Sequence, residues 1–269
     1  MKIGASTILY RDRPLNWMLF DEFKQAGIES LELTDYHPEF LYTDDAAFMA
    51  LGLAIRDLSL ELNSLHIHLE KFDSDFDLAT LDSVQQEKTL TAYRQAVDAM
   101  EILGGGILVT HHIQIPEPDA PYHAAQRSAF LANLRTVAQY AAPKDVSFAL
   151  ENTPRGYTRE PTRLVQLISD VDEPNVGICI DVGHRNIVGD PVEALRISGK
   201  YLITLHLHDN HGAQDEHLSP GRGTIDWDGV VVALDEIDYQ GVFMHELSRS
   251  EDLGIIRPNA ERMLKRKEE

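Results

Sequence analysis

The chain has 269 residues, a formal net charge of −20, 43% hydrophobic and 25% charged residues, and one cysteine. That composition excludes a disordered chain, and no apolar run approaches the roughly 18 residues of a membrane span. The charge repels nucleic acid and anionic membrane at long range, so nucleic acid is a disfavoured partner. Cys179 alone cannot form an internal disulfide or a thiolate-rich metal site, which leaves any metal to His, Asp and Glu.

The N-terminal MKIGASTILYRDRP meets Arg11, Asp12 and Arg13 before a secretory-type apolar core is complete, and a cytoplasmic protein is expected. KIGAST reads as a strand, followed by helical spacing of Leu15, Met18, Leu19 and Phe23 up to Gly27. SLELTDY is a second strand, 48–58 a helix, and LELNSLHIHL a third strand with His66 and His68 on one face. After the acidic EKFDSDFD a long helix is expected over 78–103, and Gly104, Gly105 and Gly106 lead into the strand ILVTHHI, which ends in His111 and His112. The loop IPEPDAPYH precedes a helix over 124–142, and VSFALENTP supplies strand five with Glu151 at its end. A helix over 161–169, strand six in GICIDVGH with Asp181 and His184, and a helix over 191–198 follow. Strand seven begins at Leu202, a helix covers 227–237, GVFMHELS is strand eight with Glu246, and 258–266 closes the chain as a helix.

Strands alternating with helices imply a parallel sheet, and eight such units close most naturally into an α/β (β/α)8 TIM barrel, a single domain over 1–269. An open doubly wound sheet is the alternative. Against it, no G-x-G-x-x-G follows the first strand, and Gly104 to Gly106 precede a strand rather than a helix.

Polar residues end strands three to eight, at the face where barrel enzymes keep their active sites. His66, His68, His111, Glu151, Asp181, His184, His206, His208 and Glu246 should converge there. Burying so many ionisable groups is costly without a cation or a polar ligand. In LITLHLHDNHGAQDEHLSPGRGTIDW, His206 and His208 share a face opposite Leu205 and Leu207, and Asp209, Asp215 and His217 follow in the loop, with His211 read as solvated. Glu151 follows FAL, Asp181 follows ICI and Glu246 follows FMH, so each carboxylate emerges from a strand interior. With His206 they form an oxygen-rich set suited to Mg2+, Mn2+ or Co2+ and acceptable to Zn2+.

ALENT, CIDVGH, HLHD, the stretch from Asp215 to Trp227 and the terminal HEL, in that order, resemble the xylose isomerase-like TIM barrel superfamily, in particular its sugar phosphate isomerase/epimerase and endonuclease IV group. The resemblance implies one divalent metal ion held by Glu151, Asp181, His206 and Glu246, with Glu151 and Glu246 also serving as catalytic acid and base. It favours His206 over His208, because the family's metal histidine stands three residues before an acidic one, here Asp209. His184 matches a substrate-contacting histidine of the epimerases and a metal ligand of endonuclease IV. Asp215 and His217, with His68 and His111, match further metal ligands of that nuclease. His68, His184, His208, His217 and Arg222 are the expected substrate-binding residues.

The expected activity is therefore sugar isomerisation or epimerisation on a ketose, a polyol-derived ketone or a related hydroxy-keto compound. One glutamate moves a carbon-bound proton through a metal-stabilised enediolate and the other acts on the opposite face. The alternatives are a multi-metal phosphodiesterase acting on damaged DNA, a metal-dependent lyase or dehydratase, and a non-catalytic sugar-binding protein. The acidic loops EKFDSDFD and IPEPDAP disfavour the nuclease. Neither a glycine-rich cradle nor a run of basic residues announces phosphate after strands seven and eight, so an unphosphorylated sugar, polyol or related acid is preferred. A homo-oligomer is compatible with the sequence, which does not specify one.

Overall fold

The computed structural model describes residues 1–37, 40–73 and 75–265. Eight parallel strands run in the order β7-β6-β5-β4-β3-β2-β1-β8. They are β1 (Ile3–Ser6), β2 (Ser30–Thr34), β3 (Glu61–Ile67), β4 (Gly106–Thr110), β5 (Val146–Glu151), β6 (Val176–Asp181), β7 (Leu202–His206) and β8 (Phe243–His245). β7 and β8 close the ring through a parallel bridge, Leu207 to His245, in which Leu207 N–H donates to Met244 O at 2.8 Å and Glu246 N–H to Leu207 O at 3.1 Å. The fold is a single-domain (β/α)8 TIM barrel. Among the described residues no helix is long and apolar enough to cross a membrane.

The connecting helices start where a side chain can satisfy the free N–H groups of a first turn. Asn16 caps α1 (Trp17–Gln25) and Asp44 caps α2 (Asp45–Asp57). Asp82 accepts from Val84 and Gln85 N–H and opens α3 (Ser83–Leu103), five residues later than the apolar spacing from 78 implies. α4 (His123–Ala141) and α5 (Pro161–Val171) follow, the latter with proline at its first position, where no N–H is needed. Strand six is shorter than expected, because the Asp181 carboxylate accepts from His184 N–H and turns the chain into α6 (Val182–Val188). His184 is thus delivered by a helix. α7 (Pro191–Ser198), α8 (Trp227–Glu236) and α9 (Ile256–Lys265) complete the shell; the expected last residue of the closing helix, Arg266, lies outside the described residues.

Two irregularities in register set what faces the barrel axis. Between β6 and β7 the pairing runs Ile178 to Leu202 and then Cys179 to Thr204, skipping Ile203 and bringing Asp181 beside His206. Between β2 and β3 it runs Leu31 to Leu62 and then Glu32 to Ser64, skipping Asn63. A one-residue slip reverses which side chains face inward. These two shifts therefore bring Ser64 and His66, and Thr204 and His206, to the interior. Beneath the polar end, Val109, Ala149 and Cys179 form a small apolar layer, and the larger apolar core lies between barrel and helices.

Candidate metal centre and active site

Glu151, Asp181, His206 and Glu246 come together at the C-terminal end of the barrel, all at most 2% exposed. Nδ1 of His206 lies 3.4 Å from Glu151 Oε1, 3.5 Å from Glu246 Oε2 and 3.9 Å from Asp181 Oδ2. Ligands held about 2.1 Å from one ion sit about 3.0–3.4 Å from one another, so this spacing is close to that of a coordination shell. Both Glu151 oxygens and His206 Nδ1 are buried without a hydrogen-bond partner among the described residues. Buried polar atoms are normally satisfied, and these fit a divalent cation. The opposite nitrogen, Nε2 of His206, faces Glu32 Oε2 at 3.0 Å. Glu32 is fully buried in β2 and also accepts from the Ser64 hydroxyl at 2.8 Å. A carboxylate there favours a proton on Nε2, so that Nδ1 would be the donor atom toward a cation that displaced its proton.

Two further clusters flank this set. His184, His208, Asp215 and His217 form one. In it His208 Nε2 is 2.9 Å from Asp181 Oδ1, His184 Nε2 is 3.2 Å and His217 Nε2 3.1 Å from Asp215 Oδ2, and the His208 and His217 rings stack at 3.9 Å. His184 and His217 donate from Nδ1 to the Asn152 and Glu246 carbonyls, which turns both Nε2 atoms toward Asp215. His66, His68 and His111 form the other. His66 bridges the two glutamates, Nε2 at 3.1 Å from Glu151 and Nδ1 at 3.3 Å from Glu246. Asp35 fixes His68, accepting from its backbone N–H at 2.8 Å and its Nδ1–H at 3.0 Å.

The electrostatics are those of carboxylates compensated by imidazolium. Burial alone would raise Glu151 and Glu246, but the positive charge of His206, joined by His66, outweighs it and holds both below the usual carboxylate range. Burial alone would lower His66 and His217. The Glu151 and Glu246 carboxylates instead lift His66 to about 10, and Asp215 and Glu246 lift His217 to about 9. A divalent cation would supply the same compensation and displace those protons.

Glu32 and Asp35 were not singled out in the sequence, although Asp35 follows a strand just as the other site residues do. Asp209, grouped there with the cation-binding candidates, accepts from Gly221 and Ile225 N–H and from Trp227 Nε1–H, at 2.8, 3.3 and 2.9 Å. It is the buried hub of the P-G-x-G-x-I-D-W loop. Arg222 is 57% exposed and pairs with Glu251 at 2.5 Å. His211, 59% exposed, pairs with Glu216 at 2.9 Å.

The family model described as xylose isomerase-like TIM barrel matches residues 20–266. The chain belongs to this family. It is 32% identical over 254 residues to the uncharacterized protein MJ1311 of Methanocaldococcus jannaschii, covering 91% of this chain and 83% of that one. It is 25% identical over 232 residues to the D-psicose 3-epimerase of Enterocloster bolteae, covering 84% and 74%. Among solved structures, a D-tagatose 3-epimerase-like protein superposes with a TM-score of 0.83 over 100% of both chains at 23% identity, a likeness of fold.

Proposed function

We propose that this member of the xylose isomerase-like family is a sugar isomerase or epimerase, using one divalent metal ion (Mn2+, Mg2+, Co2+ or Zn2+) to move a proton on a carbon next to a ketose carbonyl. The observation that carries the reading is the convergence of Glu151, Asp181 and Glu246 on His206 Nδ1, with buried donor atoms left without hydrogen-bond partners. Relatives named D-psicose 3-epimerase and inosose isomerase support the reaction class. Glu151, Asp181, His206 and Glu246 would hold the ion, which supplies charge stabilisation for the carbonyl oxygen as the neighbouring carbon loses its proton.

Glu151 and Glu246 reach the site from β5 and from the end of β8, on opposite flanks of His66. They are ionised in the resting site, so either can take the proton from the carbon it faces; the other returns one from across the sugar plane only after receiving it. His66, 3.1 Å from Glu151 and 3.3 Å from Glu246, can accept the proton from the first glutamate at one ring nitrogen and give its own to the second from the other. His184, His208 and His217 offer hydrogen bonds to hydroxyl groups. Each glutamate is replaced by Gln and the purified, metal-loaded protein is assayed for exchange of carbon-bound hydrogen of ketoses with solvent deuterium. Exchange should fall about 10²–10⁴-fold in Glu151→Gln and Glu246→Gln while the ketose still binds. Full exchange by either variant, or by folded metal-free protein, would overturn the mechanism.

The two flanking clusters favour a second reading, a multi-metal phosphodiesterase. Metal counting separates them: about one equivalent per chain supports the isomerase, and two or more with cleavage of damaged DNA supports the nuclease.

A further inference from the structure

β1 pairs directly with β8, so the loops that follow these strands meet at the barrel mouth although they lie at opposite ends of the chain. Between them lies a cleft of about 740 Å³ whose wall includes His217, which connects it to the candidate active site. The rest of its polar lining is Arg11, Asp12, Ser248, Arg249 and Ser250. Arg249 pairs with Asp12 and the neighbouring Arg13 with Glu22, whereas the Arg11 guanidinium has no ion pair or side-chain hydrogen bond among the described residues. The chain has 44 acidic residues against 24 lysines and arginines. An arginine left without a carboxylate in such a chain, beside a second arginine, gives this cleft a positive charge that its surroundings do not supply. The Ser248 and Ser250 hydroxyls, 2.8 Å apart, add donors that can turn toward an anion. Guanidinium forks and hydroxyls are the groups that grip carboxylate and phosphate oxygens, and barrel enzymes frequently hold phosphate on loops near the last strands.

We propose that this cleft is an oxyanion subsite and that the substrate is an acidic ketose, whose carboxylate or phosphate, remote from the carbonyl, is held by Arg11. The proposal rests on the isomerase reading of the neighbouring centre and adds to it the charge of the substrate. The sequence hides the subsite because its two arginines are separated by nearly the whole chain.

The test is calorimetric binding of D-fructose, D-fructose 6-phosphate and D-fructuronate to the metal-loaded protein. One of the two acids should bind about tenfold or more tightly than D-fructose, as expected for a charge-assisted contact, and which one identifies the anion. Arg11→Gln should bring that ratio close to one, with an unchanged melting temperature as the folding control. Asp12→Asn, which frees Arg249, should keep or increase the ratio. Any direct contact of the acids with the metal is common to wild type and variant, so the change in ratio isolates the arginine. If neither acid binds more tightly than D-fructose, or the preference survives Arg11→Gln, the subsite is overturned. Solvent exchange separates the two proposals: exchange without acid preference sinks the subsite alone, and Arg11-dependent binding without exchange on any ketose sinks the catalytic reading alone.

Discussion

Glu32→Gln tests how the barrel aims its histidine. The substitution keeps the volume of a fully buried side chain and removes the charge that accepts from His206 Nε2–H at 3.0 Å. Glu32 Oε1 has no hydrogen-bond partner among the described residues, so an amide NH2 placed there would be an unsatisfied buried donor. Turning the amide presents NH2 to His206 instead, which drives the imidazole proton onto Nδ1, the nitrogen that faces Glu151 and Glu246. Loss of such an orienting partner typically costs about 10–100-fold in metal affinity, or about 1.4–2.7 kcal/mol. Titration calorimetry of the metal-free protein with Mn2+, and the visible spectrum of the Co2+ form, measure the effect. A Glu32→Gln protein with wild-type melting behaviour, an Mn2+ dissociation constant within about twofold of wild type and an unchanged Co2+ spectrum would refute the orienting role.

Metal binding should release protons. His66 and His217, raised from 6.5 to about 10 and about 9, are protonated near pH 7.5 in the metal-free protein, so calorimetry in buffers of different ionisation enthalpy should report proton release that declines as pH climbs through 9–10. Because both folded values lie above the unfolded one, the stability these groups contribute is fully present below pH 6.5 and lost as pH rises through 9–10. The metal-free protein should melt at a lower temperature at pH 10 than at pH 7, and a flat profile would contradict the imidazolium network. Gly183→Ala places a methyl carbon 1.9 Å from His208 Cε1, which must expel the ring from its 2.9 Å contact with Asp181. A loss of about 1–3 kcal/mol in stability is expected from this overpacking, together with weaker metal binding; a variant that matches wild type in both would show that the ring has room elsewhere.

The alternation of strands and helices, and carboxylates emerging from apolar strands at Glu151, Asp181 and Glu246, were legible in the sequence because both depend on short-range periodicity. The same holds for the pairing of His206 with His208 on one face, since strand period alone sets it. Which face that is depends on the register shift at Ile203, and the inward placement of His66 depends on the one at Asn63. Register is decided between strands, by hydrogen bonds that no single segment specifies. Glu32 looked like one polar residue in a strand until β7 came to lie across the barrel from it. Likewise the strand expected through His184 ended early, because the Asp181 side chain competes for the backbone and starts a helix. Local pattern determined the barrel and its carboxylates; closure of the ring, which brings residues 12 and 249 or 32 and 206 within reach of one another, determined which buried groups meet at the barrel mouth and which line the cleft beside it.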